Sequence, residues 1–359
     1  MRKIIIVNPF GIGDVLFSMP IVTVLKRSFP GAQISYICNR RAYDLLKMHP
    51  DLNRIYVFEK DEFRDLWRRT RIGCAWNVFA LFRELRGERF DLAVDLSLGG
   101  RYGMYFQMIG VRRRIGFDYR RRGRFLTDRV TIDGFSGRHA VEYYLDIVRL
   151  MGLNIKEEDA LIAIYLSPDD IRWAKEFLRS NGMREGCPLA GVIPGCGASW
   201  GADAKYRRWS TAGFARVIDA LYERHGTTTI LFGSASEVGI CEQIIGMVAH
   251  KPINACGKTT IGQFAALLKE CSIVVTNDGG PLHIASSVRA KTVSLFGPVD
   301  ERVYGPYPKS ERHITVTGST PCRPCYQNFK YVACPTQQCL RDITPEAVLD
   351  AVDRLLRTP

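Results

Sequence analysis

The sequence predicts an α/β protein of two doubly wound domains, each a parallel sheet wrapped by helices, with a final C-terminal helix. Three observations predict it. Short apolar runs alternate with longer amphipathic ones along nearly the whole chain, the pattern of βαβ units. The alternation pauses once, at residues 152–168 (GLNIKEEDALIAIYLSP), and then restarts. A length of 359 residues exceeds one ordinary core and suits two. The expected boundaries are 1–165, 166–340 and, for the last helix, 341–359. Right-handed crossovers bring the strand C-termini of each domain to one edge, where such folds bind ligands. The expected site is a cleft between the two domains.

In the first half, short β-branched and apolar runs place strands at Lys3–Val7, Gln33–Cys38, Arg54–Phe58, Asp91–Leu96 and Arg113–Phe117. Helical spacing of apolar residues places helices at Asp14–Ser28, Arg40–Lys47, Gly73–Arg86, Gly100–Ile109 and Arg138–Met151. Pro168, Asp169 and Asp170 start another helix, with acids in its first turn. The second half then reads as strand Leu189–Ile193, helix Thr211–His225 and strand Thr228–Phe232. Helices Ser236–Val248 and Ile261–Glu270, strand Ser272–Thr276, helix Pro281–Val288 and strand Thr292–Phe296 follow. The tail, TPEAVLDAVDRLLRTP, is one amphipathic helix with Thr344 as its cap and Pro345 in its first position.

Hydrophobic content of 46% and charged content of 24% are those of a soluble globular protein. No window approaches the roughly 20 apolar residues of a membrane span. The apolar run before Asn8 and Pro9 is too short for a signal-peptide core, which predicts a cytoplasmic protein. The net charge of +13 predicts an acidic partner. Nucleic acid, an anionic membrane surface and a phosphorylated substrate all fit that charge. Residues 111–129, VRRRIGFDYRRRGRFLTDR, hold eight arginines and two aspartates. They read as a solvated basic face or, with Tyr and Phe interleaved, as a surface permitting base stacking. No nucleic-acid-binding module pattern is present, so nucleic acid is not the expected partner.

Four loops carry the chemistry. In NPFGIGDVLF the glycines Gly11 and Gly13 follow a strand, but the third glycine of a dinucleotide fingerprint is replaced by Leu16. Asp14 would repel a phosphate there. It reads either as a helix cap or as a general base at a strand end. In PGCGASWGADAKYRRWS a glycine-rich loop ends at Lys205, a phosphate-binding pattern without the Walker signature. In TILFGSASEVG, Glu237 follows a buried strand and suits either the helix dipole or a ribose diol. In VVTNDGGPLHIASS, a strand ends before Asp278, Gly279 and Gly280, with Pro281 and His283 in the first helical turn, a ready anion site.

Taken in order, GIGDVLFSMP, DLAVDLSLGGRYG with RRIGFD, the PG…K…W loop, LFGSASE, TNDGGPLHIA and LFGP resemble the bacterial ADP-heptose:lipopolysaccharide heptosyltransferases. The resemblance covers nearly the whole chain and is strongest to the second heptosyltransferase of the inner-core pathway. It implies a GT-B fold of two Rossmann-like domains and an inverting, metal-independent sugar transfer from ADP-heptose. The implied acceptor is a lipid A–Kdo/heptose glycolipid, and the implied place of work is the inner face of the inner membrane. Asp14 would match the catalytic base and Lys205 the lysine on the donor pyrophosphate. Ser199, Glu237, Thr259, Asp278, Gly279, Gly280 and His283 would complete the donor site, with Lys258–Ile261 flanking the adenine. Gly13, Arg101, Arg120 and Arg121 would face the acceptor. The chain departs from the family at Gly279, where relatives usually carry Ser or Thr, and in a longer Lys205 loop.

Eleven cysteines remain to be placed. Seven are scattered, mostly in apolar settings where Cys behaves as a small core residue. Cys322, Cys325, Cys334 and Cys339 follow a C-x2-C-x8-C-x4-C pattern, the spacing of a four-cysteine zinc or iron site. Free thiols, and a disulfide or redox role, are the other readings. No cofactor is expected for catalysis.

Overall fold

The computed structural model describes residues 1–59, 81–184, 186–330 and 332–357, except for the side chains of residues 198–200 and 202. The chain divides into two compact units, Met1–Tyr165 and Leu166–Pro359. Each is built on a six-stranded parallel sheet.

The first sheet holds β1 (Lys3–Val7), β2 (Gln33–Cys38), β3 (Leu52–Val57), β4 (Leu92–Asp95), β5 (Arg113–Tyr119) and β6 (Asp128–Ile132). Their spatial order is β3-β2-β1-β4-β5-β6, with Val7 of β1 paired to Asp95 of β4. The second holds β7 (Leu189–Ile193), β8 (Thr228–Leu231), β9 (Ile253–Asn254), β10 (Ile273–Asn277), β11 (Thr292–Phe296) and β12 (His313–Thr317). Its order, β12-β11-β10-β7-β8-β9, repeats the same topology. In both sheets the order reverses beside the first strand, and loops diverge there to leave room for a ligand. Ile4–Val7 of β1 and all of β7, β10 and β11 are buried, because helices cover both faces of a parallel sheet.

Local signals set the helix ends. Ser210 caps Thr211–His225 by accepting from Gly213 N at 3.0 Å, and Gly226 closes that helix in the left-handed region. Thr260 and Gln263 form a reciprocal capping box at the start of Ile261–Glu270. The terminal helix Pro345–Arg357 turns Val348, Leu349, Val352 and Leu355 into the core that also holds Trp209, Phe214 and Val217. At about 1.5–3 kcal/mol per buried side chain, that face ties the helix to the second unit.

The structure differs from the sequence-based expectation at three kinds of place. The stretch Asp14–Ser28 is two helices, Ile12–Phe17 and Met19–Ser28. Pro20 has no N–H to continue the first helix. Buried Ser18 sits at the junction and donates its hydroxyl to Val15 O at 2.7 Å. Three strands, β6, β9 and β12, are additional to the expected set, and all three are sheet edges. The expected helix Gly73–Arg86 falls mostly outside the described residues, of which 81–88 are helical.

Candidate functional site

In the first unit, β1, β4 and β5 are adjacent and parallel, so the residues that follow them share one edge. Asp14 follows β1, Arg101 follows β4, and Arg120 and Arg121 follow β5. Asp14 is not a cap. The N-cap of Ile12–Phe17 is Gly11, and half-buried Asp14 lies in the first turn. Its Oδ1 accepts from the Tyr144 hydroxyl at 3.4 Å. The Asp14 carbonyl accepts from Asn8 Nδ2 at 3.0 Å. Asn8, Ser18 and Tyr36 form a buried network beneath this turn, with Ser18 Oγ 2.6 Å from Tyr36 Oη and 3.3 Å from Asn8 Nδ2. Since the Ser18 proton goes to Val15 O, the Tyr36 hydroxyl is the donor to Ser18. Half-buried Gly13 lies within the helix, outside the left-handed region.

Arg101 is exposed at the start of Gly100–Met108. The arginine-rich stretch divides in two. Arg113 pairs with Asp128 at 3.4 Å, Arg129 with Asp118 at 3.7 Å, and Arg114 donates to the Phe125 and Val111 carbonyls. Arg120, Arg121, Arg122 and Arg124 are exposed. Arg120 and Arg121 stand at φ 53° and 58°, a region that non-glycine residues seldom enter. Gly123 N closes this loop on Asp118 Oδ1 at 2.8 Å.

In the second unit, β10, β7, β8 and β9 are adjacent, and their following loops share an edge. After β7 the chain runs through Pro194–Gly197 into a 3-10 segment, Ala198–Arg207. Exposed Lys205 lies near its end, its ammonium 5.0 Å from the Tyr206 ring centroid. The Ser199 side chain lies outside the described residues. Asn277, the last residue of β10, laces two loops together. Its Nδ2 donates to Pro194 O at 2.7 Å, and its Oδ1 accepts from Trp209 N at 3.0 Å. Asp278 forms an ion pair with Arg207, and both are buried. Burial pushes the Asp278 carboxyl above the usual carboxylate range, and the guanidinium partly offsets it. Removing one member of such a pair costs about 3–5 kcal/mol.

Gly279 has φ 155°, and a side chain there would strike the Cys196 carbonyl. A serine or threonine side chain would not fit against this loop. Gly280 opens the helix Gly280–Ser287, whose first turn holds Pro281 and buried His283. Glu237 is buried and joins three segments. Its Oε2 accepts from Ser234 N at 2.9 Å and Ser234 Oγ at 2.8 Å, while Oε1 accepts from Cys196 N at 3.2 Å and Arg208 Nη2 at 3.4 Å. Gly195 is glycine because a methyl group there would fall on that carboxylate. Half-buried Thr259 precedes the capping residue Thr260 beyond β9.

The structure therefore brings Lys205, Glu237, Thr259, Asp278, Gly279, Gly280 and His283 to loops of one sheet edge. Of these, Glu237, Asp278 and His283 are buried, which makes them organisers of the loops in this state. Sequence reasoning passed over Asn277, Arg207, Arg208, Cys196 and Tyr144 as site residues. The cation run Lys205–Arg208 was the one available signal for two of them.

The four cysteines of the C-terminal pattern lie near one another, close enough for Cys325 and Cys339 each to feel the others' charge. Among the described residues, no group of three or more His, Cys, Asp or Glu is placed to hold a metal ion. Cys322, Cys325, Cys334 and Cys339 are all free thiols. Cys339 is buried in the core of the second unit, whereas Cys322 is exposed. Burial raises Cys339 and Cys325, and the Gln337 N–H at 3.3 Å lowers Cys334.

Known proteins share this chain's length and fold. A lipooligosaccharide heptosyltransferase 2 of Haemophilus ducreyi is 28% identical over 99% of both chains. The crystal structure of a glycosyl transferase family 9 protein from Veillonella parvula has a TM-score of 0.81 at 24% identity, covering 99% of this chain and 97% of that one. The E. coli ADP-heptose lps heptosyltransferase II structure gives 0.76 at 23% identity, covering 99% and 98%. The family model for glycosyltransferase family 9 (heptosyltransferase) matches residues 78–333, which span the basic loop after β5 and every second-unit loop described above. With that match over most of its length, on a pair of parallel sheets whose loops carry the residues expected of a sugar transferase, the chain belongs to glycosyltransferase family 9, the heptosyltransferase family, and is a glycosyltransferase.

Proposed function

We propose that this glycosyltransferase moves a heptose from ADP-heptose to the inner core of lipopolysaccharide with inversion at the anomeric carbon. The single observation that carries the reading is the edge of the second sheet. There an exposed lysine, Lys205, ends a glycine-rich loop that Asn277 ties to the start of the Gly280–Ser287 helix. A diphosphate leaving group needs that combination of cation and backbone N–H groups. The names of the relatives support the sugar and the acceptor.

In the proposed step the acceptor hydroxyl attacks the anomeric carbon opposite ADP. A new C–O bond forms there and the bond to the ADP oxygen breaks, its electron pair leaving with ADP. Asp14 takes the hydroxyl proton. Lys205 and the backbone at Gly279 and Gly280 stabilise the charge growing on ADP, so the step calls on no divalent cation. Glu237 meets the ribose by releasing its longest contact, Arg208. Asp278 and His283 shape the floor under the donor sugar, Thr259 borders the nucleoside, and Ser199 completes the loop. On the first unit, Gly13 and exposed Arg101, Arg120 and Arg121 receive the anionic acceptor. The exposed arginines also hold the protein on the anionic cytoplasmic surface of the membrane, without nucleic acid as a partner.

Thermal melts with ADP, UDP, GDP and a short DNA, followed by turnover with ADP-heptose and core-truncated lipopolysaccharides, test this. ADP at about 100 times its Kd should stabilise the fold by about 2.7 kcal/mol, and the others should not. Turnover should survive EDTA. Selective stabilisation by UDP or GDP would overturn the donor, and stabilisation by DNA alone would overturn the reading.

A further inference from the structure

Asp14 is anchored through its backbone, since Asn8 Nδ2 holds its carbonyl over a buried network. A backbone anchor leaves the carboxylate's rotation about χ2 to be fixed by something else. A group placed to do this is the Tyr144 hydroxyl, which donates to Asp14 Oδ1 from a helix 130 residues along the chain.

Tyr144 is 2% exposed. Its ring packs edge-on against Phe117 and Phe135, each at 5.7 Å between centroids, so it has little freedom to swing. Its helix, Ala140–Arg149, is also keyed to the Asp14 helix, because the capping residue His139 packs edge-on against Phe17 at 5.1 Å. A phenylalanine would fill the same aromatic space. The buried hydroxyl costs free energy unless it is bonded, and its position on the carboxylate gives that cost a purpose.

We propose that Tyr144 is a positioning residue for sugar transfer. Its rigid hydroxyl orients the Asp14 carboxylate toward the acceptor and favours its ionised form before substrate arrives. This rests on the reading of Asp14 as the base. A general base must present a lone pair within hydrogen-bond reach of the proton it removes, and a donor on the other side of the carboxylate sets that direction. Bonds of this kind are often long before substrate binds, as this one is at 3.4 Å.

Among the described residues, several other ionisable groups near Asp14 have engagements of their own. Tyr36 is buried against Ser18, and His139 is in its helix cap. On the helices packed against Ile12–Phe17, Arg27 pairs with Asp159, Asp44 with Lys47, and Asp146 with Arg138 and Arg149, while Arg40 and Arg41 are exposed.

Tyr144→Phe in the full-length enzyme is the test, alongside Asp14→Asn. With the ring retained, the melting temperature should stay near that of the parent. We expect kcat to fall about tenfold with the donor KM unchanged, and the acid limb of kcat/KM to move up by about half a pH unit. Site-specific 3-fluorotyrosine at 144, a stronger donor, should move that limb down. Asp14→Asn should lose at least about 100-fold in kcat. An inactive Asp14→Asn beside a Tyr144→Phe enzyme with unchanged kcat and pH profile would overturn the role of Tyr144. A fully active Asp14→Asn would overturn the base itself, and the positioning role with it.

Discussion

At the end of β4, Asp95 is buried, 4% exposed, one strand over from the Asp14 loop. Its Oδ1 accepts from Ser97 N at 2.9 Å, a local turn that holds the start of the loop toward Arg101. Burial still dominates and pushes its carboxyl up to about 6. The folded state therefore holds this proton more tightly than the unfolded chain. Its contribution to stability is full below the ordinary carboxylate range and is lost as pH rises through about 6. A shift of two units is worth about 3 kcal/mol. Asp95→Asn keeps an acceptor for Ser97 and loses the titration. Relative to the parent, its unfolding free energy should rise by about 2 kcal/mol between pH 4 and pH 7 in denaturant titrations. Parallel pH profiles for the two proteins would refute the buried charge. Nothing in the local sequence of Asp95 announces this, because burial is decided by the strands on either side of it.

At the scale of elements, the meeting of the β7 loop with the Gly280–Ser287 helix governs the second unit's edge. Gly279 is where the two backbones touch. A serine there would have to displace the Cys196 carbonyl at an unfavourable φ. Gly279→Ser should cost about 1–3 kcal/mol in unfolding free energy and weaken ADP binding several-fold, read by denaturation and calorimetry. A variant as stable and as tightly binding as the parent would show that the loops have slack. Elements were legible in the sequence according to their position in the sheets. Central strands such as Leu189–Ile193 and Thr292–Phe296 were read to the residue, because burial on both faces demands an unbroken apolar run. Of the four edges, β3 is legible with shifted ends, and β6, β9 and β12 are not. β6 alternates half-buried and exposed positions up to a buried last residue and β12 is half-buried throughout, which mixes Asp, Arg, His and Thr into them, and β9 is two residues long.

At the scale of the whole molecule, a charge of +13 is partly spent inside the fold. Arg113, Arg114, Arg129 and Arg207 are tied to carboxylates or carbonyls. Arg120, Arg121, Arg122 and Arg124 remain exposed just after β5, and Arg112 is exposed just before it. Near an anionic bilayer each is worth roughly 1 kcal/mol. Among the described residues no helix is long and apolar enough to cross a membrane. The protein should float with phosphatidylglycerol-containing liposomes at low salt and be released at high salt. Replacing Arg120, Arg121, Arg122 and Arg124 by Ser should abolish flotation. Binding that ignores salt or these replacements would place the membrane contact elsewhere.

Several features are determined along the chain itself. The period of the apolar residues sets two rounds of strand and helix, and the caps at Ser210, Thr260 and Thr344 set where helices begin. Leu16 at the place of the third glycine, together with the Asp14 carboxylate, argues against phosphate at the first loop. These are short-range facts, carried by residues a few positions apart. Only the tertiary structure decided that Asp14 is no cap, since Gly11 takes that position and Tyr144 arrives from a distant helix. It alone paired Arg207 with Asp278 and locked Glu237 between the loops that follow β7 and β8. Spacing in a sequence proposes which side chains can meet. Whether they do depends on the packing of the elements that carry them.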